Sequence, residues 1–169
     1  MSSSNYLRFI AAASTFLCLT GCGFQLRGSY ELPYQGVFVS APSASSVASN
    51  IRRELTGGAR VLPSAKEADA QLNILEERRD RQILSLSGAG RVREYELKMV
   101  VRYQLVDGNG ATIIPVSEIR LSRILAYDDS KIIAKQQEEA MLYADMEKDA
   151  VGQILRRMVA VKPNRARIS

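Results

Sequence analysis

One cysteine carries the sharpest chemistry in the chain. Cys22 ends the stretch Leu19-Thr20-Gly21-Cys22, directly after an apolar run from Phe9 to Leu19 that a lone Arg8 precedes. A basic start, a short greasy stretch and a small-residue end are the layout of a secretory signal. The run has 11 residues, whereas crossing the hydrocarbon as a helix takes about 20. Leucine, a small residue, glycine and cysteine in that order form the bacterial lipobox pattern, in which the thiol takes a thioether-linked lipid and the signal is cut just before it. Each buried methylene contributes about 0.8 kcal/mol, and stable anchoring takes more than one acyl chain. An N-acyl diacylglycerol cysteine meets that requirement. Residues 1–21 are therefore expected to be a cleaved lipoprotein signal, and Cys22 an anchor rather than a catalyst. Position 23 is glycine and not the aspartate associated with inner-membrane retention, so the mature chain is expected at the outer membrane, facing the periplasm.

The remaining inventory argues against an enzyme. The 169 residues contain no histidine, Cys18 leaves with the signal and Cys22 is acylated. That removes histidine acid–base chemistry, cysteine nucleophiles, disulfides and the usual zinc sites. No metal is expected, and no cofactor beyond the covalent N-acyl diacylglycerol lipid on Cys22. Asp128-Asp129 stands just before a helical stretch, where such residues cap. The glycines of "SLSGAGRVRE" fit neither a P-loop nor a dinucleotide fingerprint and read as a turn. An exported hydrolase built on carboxylates finds no convergent pair in the pattern. The chain has 23 basic and 18 acidic side chains, and only Arg8 leaves with the signal. The surplus of four favours anionic partners. Export and the lack of an aromatic-studded basic strand exclude a nucleic-acid module.

Cleavage leaves 148 residues, enough for one domain with a core. Residues 22–34 read as lipidated anchor and tether, 35–161 as the domain and 162–169 as a disordered basic tail. Val37 to Ala41 forms a first strand ended by Pro42. Val47, Ile51 and Leu55 recur at helical spacing behind capping serines, with Gly57-Gly58 as the stop. Val61 and Leu62 suit a brief pairing. Residues 70–87 read as one long strand, bulged or broken near Arg78 to Arg81.

"REYELKMVVRYQLV" alternates most cleanly, with Tyr95, Leu97, Met99, Val101, Tyr103 and Leu105 on one face. Asp107-Gly108-Asn109-Gly110 is a hairpin turn. The following run is its antiparallel partner, with Pro115 marking an edge position or a bulge. From Lys131 to about Val161 a long helix is expected, capped by Asp129 or Ser130. Its core face is expected to hold Ile133, Ala140, Tyr143, Ala144, Val151, Ile154, Leu155 and Met158. The order β-α-β-β-β-α gives an α+β, two-layer sandwich, a mostly antiparallel sheet with two helices packed on one face.

"GCGFQLRG" from Gly21 to Gly28, "EYEL" from Glu94 to Leu97 and "AKQQEEAM" from Ala134 to Met141, on a chain of this length and element order, resemble the LptE family of lipopolysaccharide-assembly outer-membrane lipoproteins. The resemblance implies a non-enzymatic partner of the outer-membrane β-barrel LptD, seated as a plug in its lumen, that assists delivery of lipopolysaccharide to the outer leaflet. It also implies a lipid-anchored location, with the domain in the periplasm or the barrel lumen. The alternative is a periplasm-facing lipoprotein scaffold for a cell-wall or secretion machine.

Lipopolysaccharide presents phosphates on a lipid, and Arg and Lys supply charge-assisted hydrogen bonds to phosphate. By the resemblance, Lys135 aligns with a family position linked to lipopolysaccharide contact, and Lys131 lies in the same first turns. The basic character of the family's loop carries over to Arg91 and Arg93. Leu142 and Met146, spaced i, i+4 and opposite the expected core stripe, are expected to contact the barrel's inner wall.

Overall fold

The computed structural model describes residues 32–56 and 60–161. The signal segment, Cys22, the tether up to residue 31, the Gly57-Gly58 stop and the basic tail lie outside the described residues. Strand β1 (Gly36–Ser40) leads into helix α1 (Ser46–Leu55) and the short β2 (Arg60–Val61). Three long strands follow, β3 (Ala70–Leu86), β4 (Val92–Asp107) and β5 (Thr112–Ala126), and then helix α2 (Ile132–Ala160). The sheet order is β2-β1-β3-β4-β5. β1 runs parallel to both β2 and β3, and the β3–β4 and β4–β5 pairs are antiparallel. The brief pairing expected at Val61 and Leu62 is β2, joined to β1 through a crossover helix as parallel pairing requires.

The alternation in β4 places its core where expected. Leu97, Met99, Val101, Tyr103 and Leu105 are all buried, under helices that lie on that face alone, while Tyr95 is half-buried. Two hairpins close the long strands with one turn design. Gly90 and Gly110 adopt φ of 76° and 85°, the left-handed conformation that glycine enters without strain. Each lies three residues after the side chain that braces its loop. Ser87 Oγ accepts from Arg91 N at 3.1 Å, and Asp107 Oδ1 accepts from Asn109 N and Ala111 N at 2.9 and 2.8 Å. Pro115 is on the edge strand and at a bulge as well, where the register passes from Leu105 opposite Ile114 to Tyr103 opposite Ser117.

β3 departs from expectation in an informative way. It runs unbroken through Arg78 to Arg81, and its register shifts fall instead at Leu75 and around Leu84. A bulge inserts one residue and exchanges the two faces downstream of it. Before Leu75 the even positions Ala70, Leu72 and Ile74 enter the core. After it, Glu77, Arg79 and Arg81 stand opposite Val101, Met99 and Leu97 and so face the helices.

These charges clamp the two layers together. Glu77 accepts from Ser45 Oγ at 2.6 Å, Ser46 Oγ at 2.7 Å and Val47 N at 3.2 Å, a carboxylate at the start of α1 where the helix dipole favours it. Arg79 donates to Ser46 Oγ at 2.9 Å and to Glu147 of α2, and it lies 5.3 Å over the Tyr143 ring. Asn50 of α1 donates to the same Glu147 at 3.2 Å. Tyr143 Oη donates to the Asp80 carbonyl at 2.8 Å.

The cap and stripe of α2 need correction. Asp128 takes the capping role: its carboxylate accepts from Ser130 N at 3.0 Å and starts a 3-10 turn over Asp129–Lys131 that feeds the helix. Tyr143, Val151, Ile154, Leu155 and Met158 are buried as expected, but Ile133 is 75% exposed and Ala140 and Ala144 face solvent. Met146 and Ala150 take their places, both at 0% exposure. At 29 residues the helix is about 43 Å long; Glu139, Tyr143 and Glu147 reach Arg81, Asp80 and Arg79, so the charged stretch of β3 lies under its middle turns, and its first turns leave Ile132 and Ile133 exposed. The expected barrel-contact pair is corrected with it: Met146 is fully buried and Leu142 is half-buried against the core, so both face the sheet.

At the other end of the molecule the chain enters the domain. Tyr34 is buried and its hydroxyl donates to the Val161 carbonyl at 3.4 Å, so packing begins within the stretch read as tether. Asp69 Oδ2 accepts from Gln35 N and Gly36 N at 3.0 and 3.1 Å, fixing the start of β1 beside β3.

Candidate functional site

The strand register brings the two separately expected cation groups to one end of the sheet. Arg91 closes the β3–β4 turn and Arg93 follows in β4, whose carbonyl accepts from Tyr127 N at 2.8 Å. Tyr127 immediately precedes Asp128, so the start of α2, with Lys131 and Lys135, stands beside that turn. Asp128 is held below the usual carboxylate range by its hydrogen bonds from the Ser130 backbone and hydroxyl, with added help from the charges of Lys131 and Lys135. Arg91, Arg93 and Lys131 are exposed, and no described carboxylate lies within ion-pair distance of them. Lys135 differs: it is half-buried and its Nζ pairs with Glu138 Oε2 at 2.8 Å.

The same end is greasy. Ile83, Leu84 and Leu86 of β3, Ile124 of β5, and Ile132, Ile133 and Met141 of α2 make up seven of the ten large exposed apolar side chains among the described residues. Scattered exposed apolar residues need no account, but a concentration of them marks a surface that meets something. Ile83, Leu86 and Ile124 are 58%, 55% and 61% exposed. Open cations at the same end as such groups suit an amphiphile that carries both negative charge and hydrocarbon.

An aromatic and charged cluster missed in the sequence lies on the helix-facing side of this end. Tyr95 and Tyr127 meet edge to face at 5.0 Å, and the Arg81 guanidinium lies 4.7 Å over the Tyr95 ring. Arg81 Nη1 donates to Glu139 Oε2 at 2.9 Å. The hydrogen bond to Glu139 raises the Arg81 pKa, with smaller help from the Glu139, Tyr95 and Tyr127 charges and against partial burial. The run "EERRDR" held the only sequence signal, and its face depends on the bulge at Leu75.

Among the described residues no cluster of acidic side chains and cysteine could hold a metal, and no helix is long and apolar enough to cross a membrane.

Comparison with known proteins decides the family. The model of the family described as LptE, lipopolysaccharide-assembly, matches residues 34–158. The chain belongs to the LptE family. A curated member, the LPS-assembly lipoprotein LptE of Pectobacterium atrosepticum, is 24% identical over 150 residues, covering 86% of this chain and 80% of that protein. Among solved structures, lipoprotein B of Nitrosomonas europaea is 43% identical with a TM-score of 0.71, over 82% of this chain and 92% of that one. Rare lipoprotein B of Shewanella oneidensis shares the fold at 22% identity and a TM-score of 0.63, over 73% of this chain and 92% of that one. The LptE match begins at Tyr34, beyond the "GCGFQLRG" stretch, so the membership rests on the domain itself. This LptE-family chain therefore carries the α+β sandwich of its relatives.

Proposed function

We propose that this chain is a non-enzymatic outer-membrane lipoprotein, anchored through acylated Cys22, that plugs the LptD β-barrel and binds lipopolysaccharide through its turn end. Arg91, Arg93, Lys131 and Lys135 are assigned to the phosphates, and the surrounding isoleucines and leucines to the acyl chains. The observation that carries the reading is the convergence of open cations and exposed apolar side chains at the end of the sheet farthest from the chain entry. β3 alone, at 17 residues, spans about 50 Å, longer than the roughly 30 Å hydrocarbon layer. From Cys22 to the entry at Tyr34 the tether reaches at most about 40 Å. The anchor therefore holds the entry end near the periplasmic leaflet, while the turn end reaches up the lumen toward the outer leaflet.

Detergent extraction of outer membranes and affinity capture of the full chain tests the partner. An LptD barrel is expected at one-to-one stoichiometry, with Cys22 recovered as the acylated first residue. Recovery of a cell-wall or secretion complex in its place would favour the scaffold reading.

A further inference from the structure

We propose that Arg81 is a further phosphate-binding residue of this surface, occupied in the free protein by Glu139 and released to an anionic ligand that displaces the carboxylate. The inference rests on the proposed lipopolysaccharide-binding role and adds to it a residue and an internal competitor. Arg81 faces the helices only because the bulge at Leu75 exchanged the faces of β3. Its side chain is 47% exposed, against 22% for Glu139, so an incoming group can reach the guanidinium without opening the core.

The pair is weak enough to exchange. An ion pair this exposed shifts an equilibrium by only a few-fold. A phosphate monoester brings up to two charges and three acceptor oxygens to the same fork. Tyr95, braced by Tyr127, gives the guanidinium a fixed platform. Lys135 sits one helical turn before Glu139 and on the same face, paired with Glu138 at 2.8 Å, so a second cation stands near the guanidinium but shares its charge with its own carboxylate. Ile83, two residues beyond Arg81 on the same strand face and 58% exposed, adds hydrocarbon contact beside them. Arg79 contrasts with Arg81, since Glu77, Glu147 and Ser46 hold it together in the clamp between the layers.

The test measures binding of purified lipopolysaccharide, native and phosphatase-treated, to the full lipidated protein in nonionic detergent. E139Q keeps the shape and an acceptor but removes the competing charge, and its affinity for the native ligand should rise about two- to fivefold. R81A should lose about tenfold, and R81K should fall between, since lysine keeps charge without the fork or the ring stacking. Both effects should vanish on the phosphatase-treated ligand, which a merely structural role would not produce. Unchanged affinity in E139Q and R81A alongside weakening in R91A/R93A would overturn the role of Arg81 and leave the surface standing. Unchanged affinity in all of these variants would remove the surface as well.

Discussion

Alanine in place of Arg91, Arg93 and Lys135 together is expected to weaken lipopolysaccharide binding by at least about a hundredfold. A hydrogen bond to a charged group contributes about 1.5–3 kcal/mol, and each 1.4 kcal/mol is tenfold in affinity. Two effective phosphate contacts at the low end of that range already give the hundredfold. Lys135 adds less than its charge suggests, because Glu138 holds its ammonium at 2.8 Å in the free protein. The variant should stay folded: Arg91 and Arg93 are exposed, where substitutions change stability by about 0.5 kcal/mol or less, and the half-buried Lys135 gives up a pair with Glu138 that contributes about 1 kcal/mol or less. Equilibrium binding beside a thermal melt separates the two effects. Binding that survives the triple change in a folded protein would place the phosphates elsewhere.

The second large effect is on folding. Glu in place of Met146 puts a carboxylate at a position with 0% exposure, within the apolar core cluster. Burying an unpaired charge belongs to the rare class of changes exceeding about 4 kcal/mol, a large share of the roughly 5–15 kcal/mol that holds a domain folded. A fall in Tm of more than about 10 °C, or loss of the folded state, is the expected result. The same substitution at Met141, five residues earlier and 66% exposed, should change stability by about 0.5 kcal/mol or less. The two methionines together report the rotation of α2. Equal melting temperatures for the two variants would contradict the observed stripe.

That contrast also marks how far the sequence could be read. β4, its two hairpins and the edge bulge at Pro115 were legible because strict alternation and turn glycines are local signals, fixed within a few residues. The face of α2 was not. Ile133, Ala140 and Ala144 make as good an apolar stripe as Met146 and Ala150, and choosing between them requires knowing where the apolar floor under the helix ends. On β3 that floor ends at the bulge, while Val101, Met99 and Leu97 of β4 and Leu125 of β5 carry it further. A single inserted residue at Leu75 turns Glu77, Arg79 and Arg81 inward, so a run that reads as bulged or broken near Arg78 to Arg81 is instead a continuous strand that forms a polar clamp and a reserve of charge.

The same limit applies to the site. Arg91 and Arg93 are visible beside a turn and Lys131 and Lys135 at a helix start, and two successive hairpins send both groups toward one end, but the pattern does not say which residues meet there. Register supplies that, by pairing Glu94 with Ala126 and so setting the β5 exit against the β3–β4 turn. The exposed isoleucines and leucines of that end were assigned to strand faces or to the helix core in the sequence, because hydrophobic periodicity cannot distinguish a buried stripe from one awaiting a ligand.

Site-specific photo-crosslinking in intact outer membranes tests the central claim most directly. A photoreactive residue at position 93, at the turn end, should capture lipopolysaccharide, and one at position 109, in the hairpin near the chain entry, should not. Capture from position 109 but not from 93, or from neither, would contradict the account.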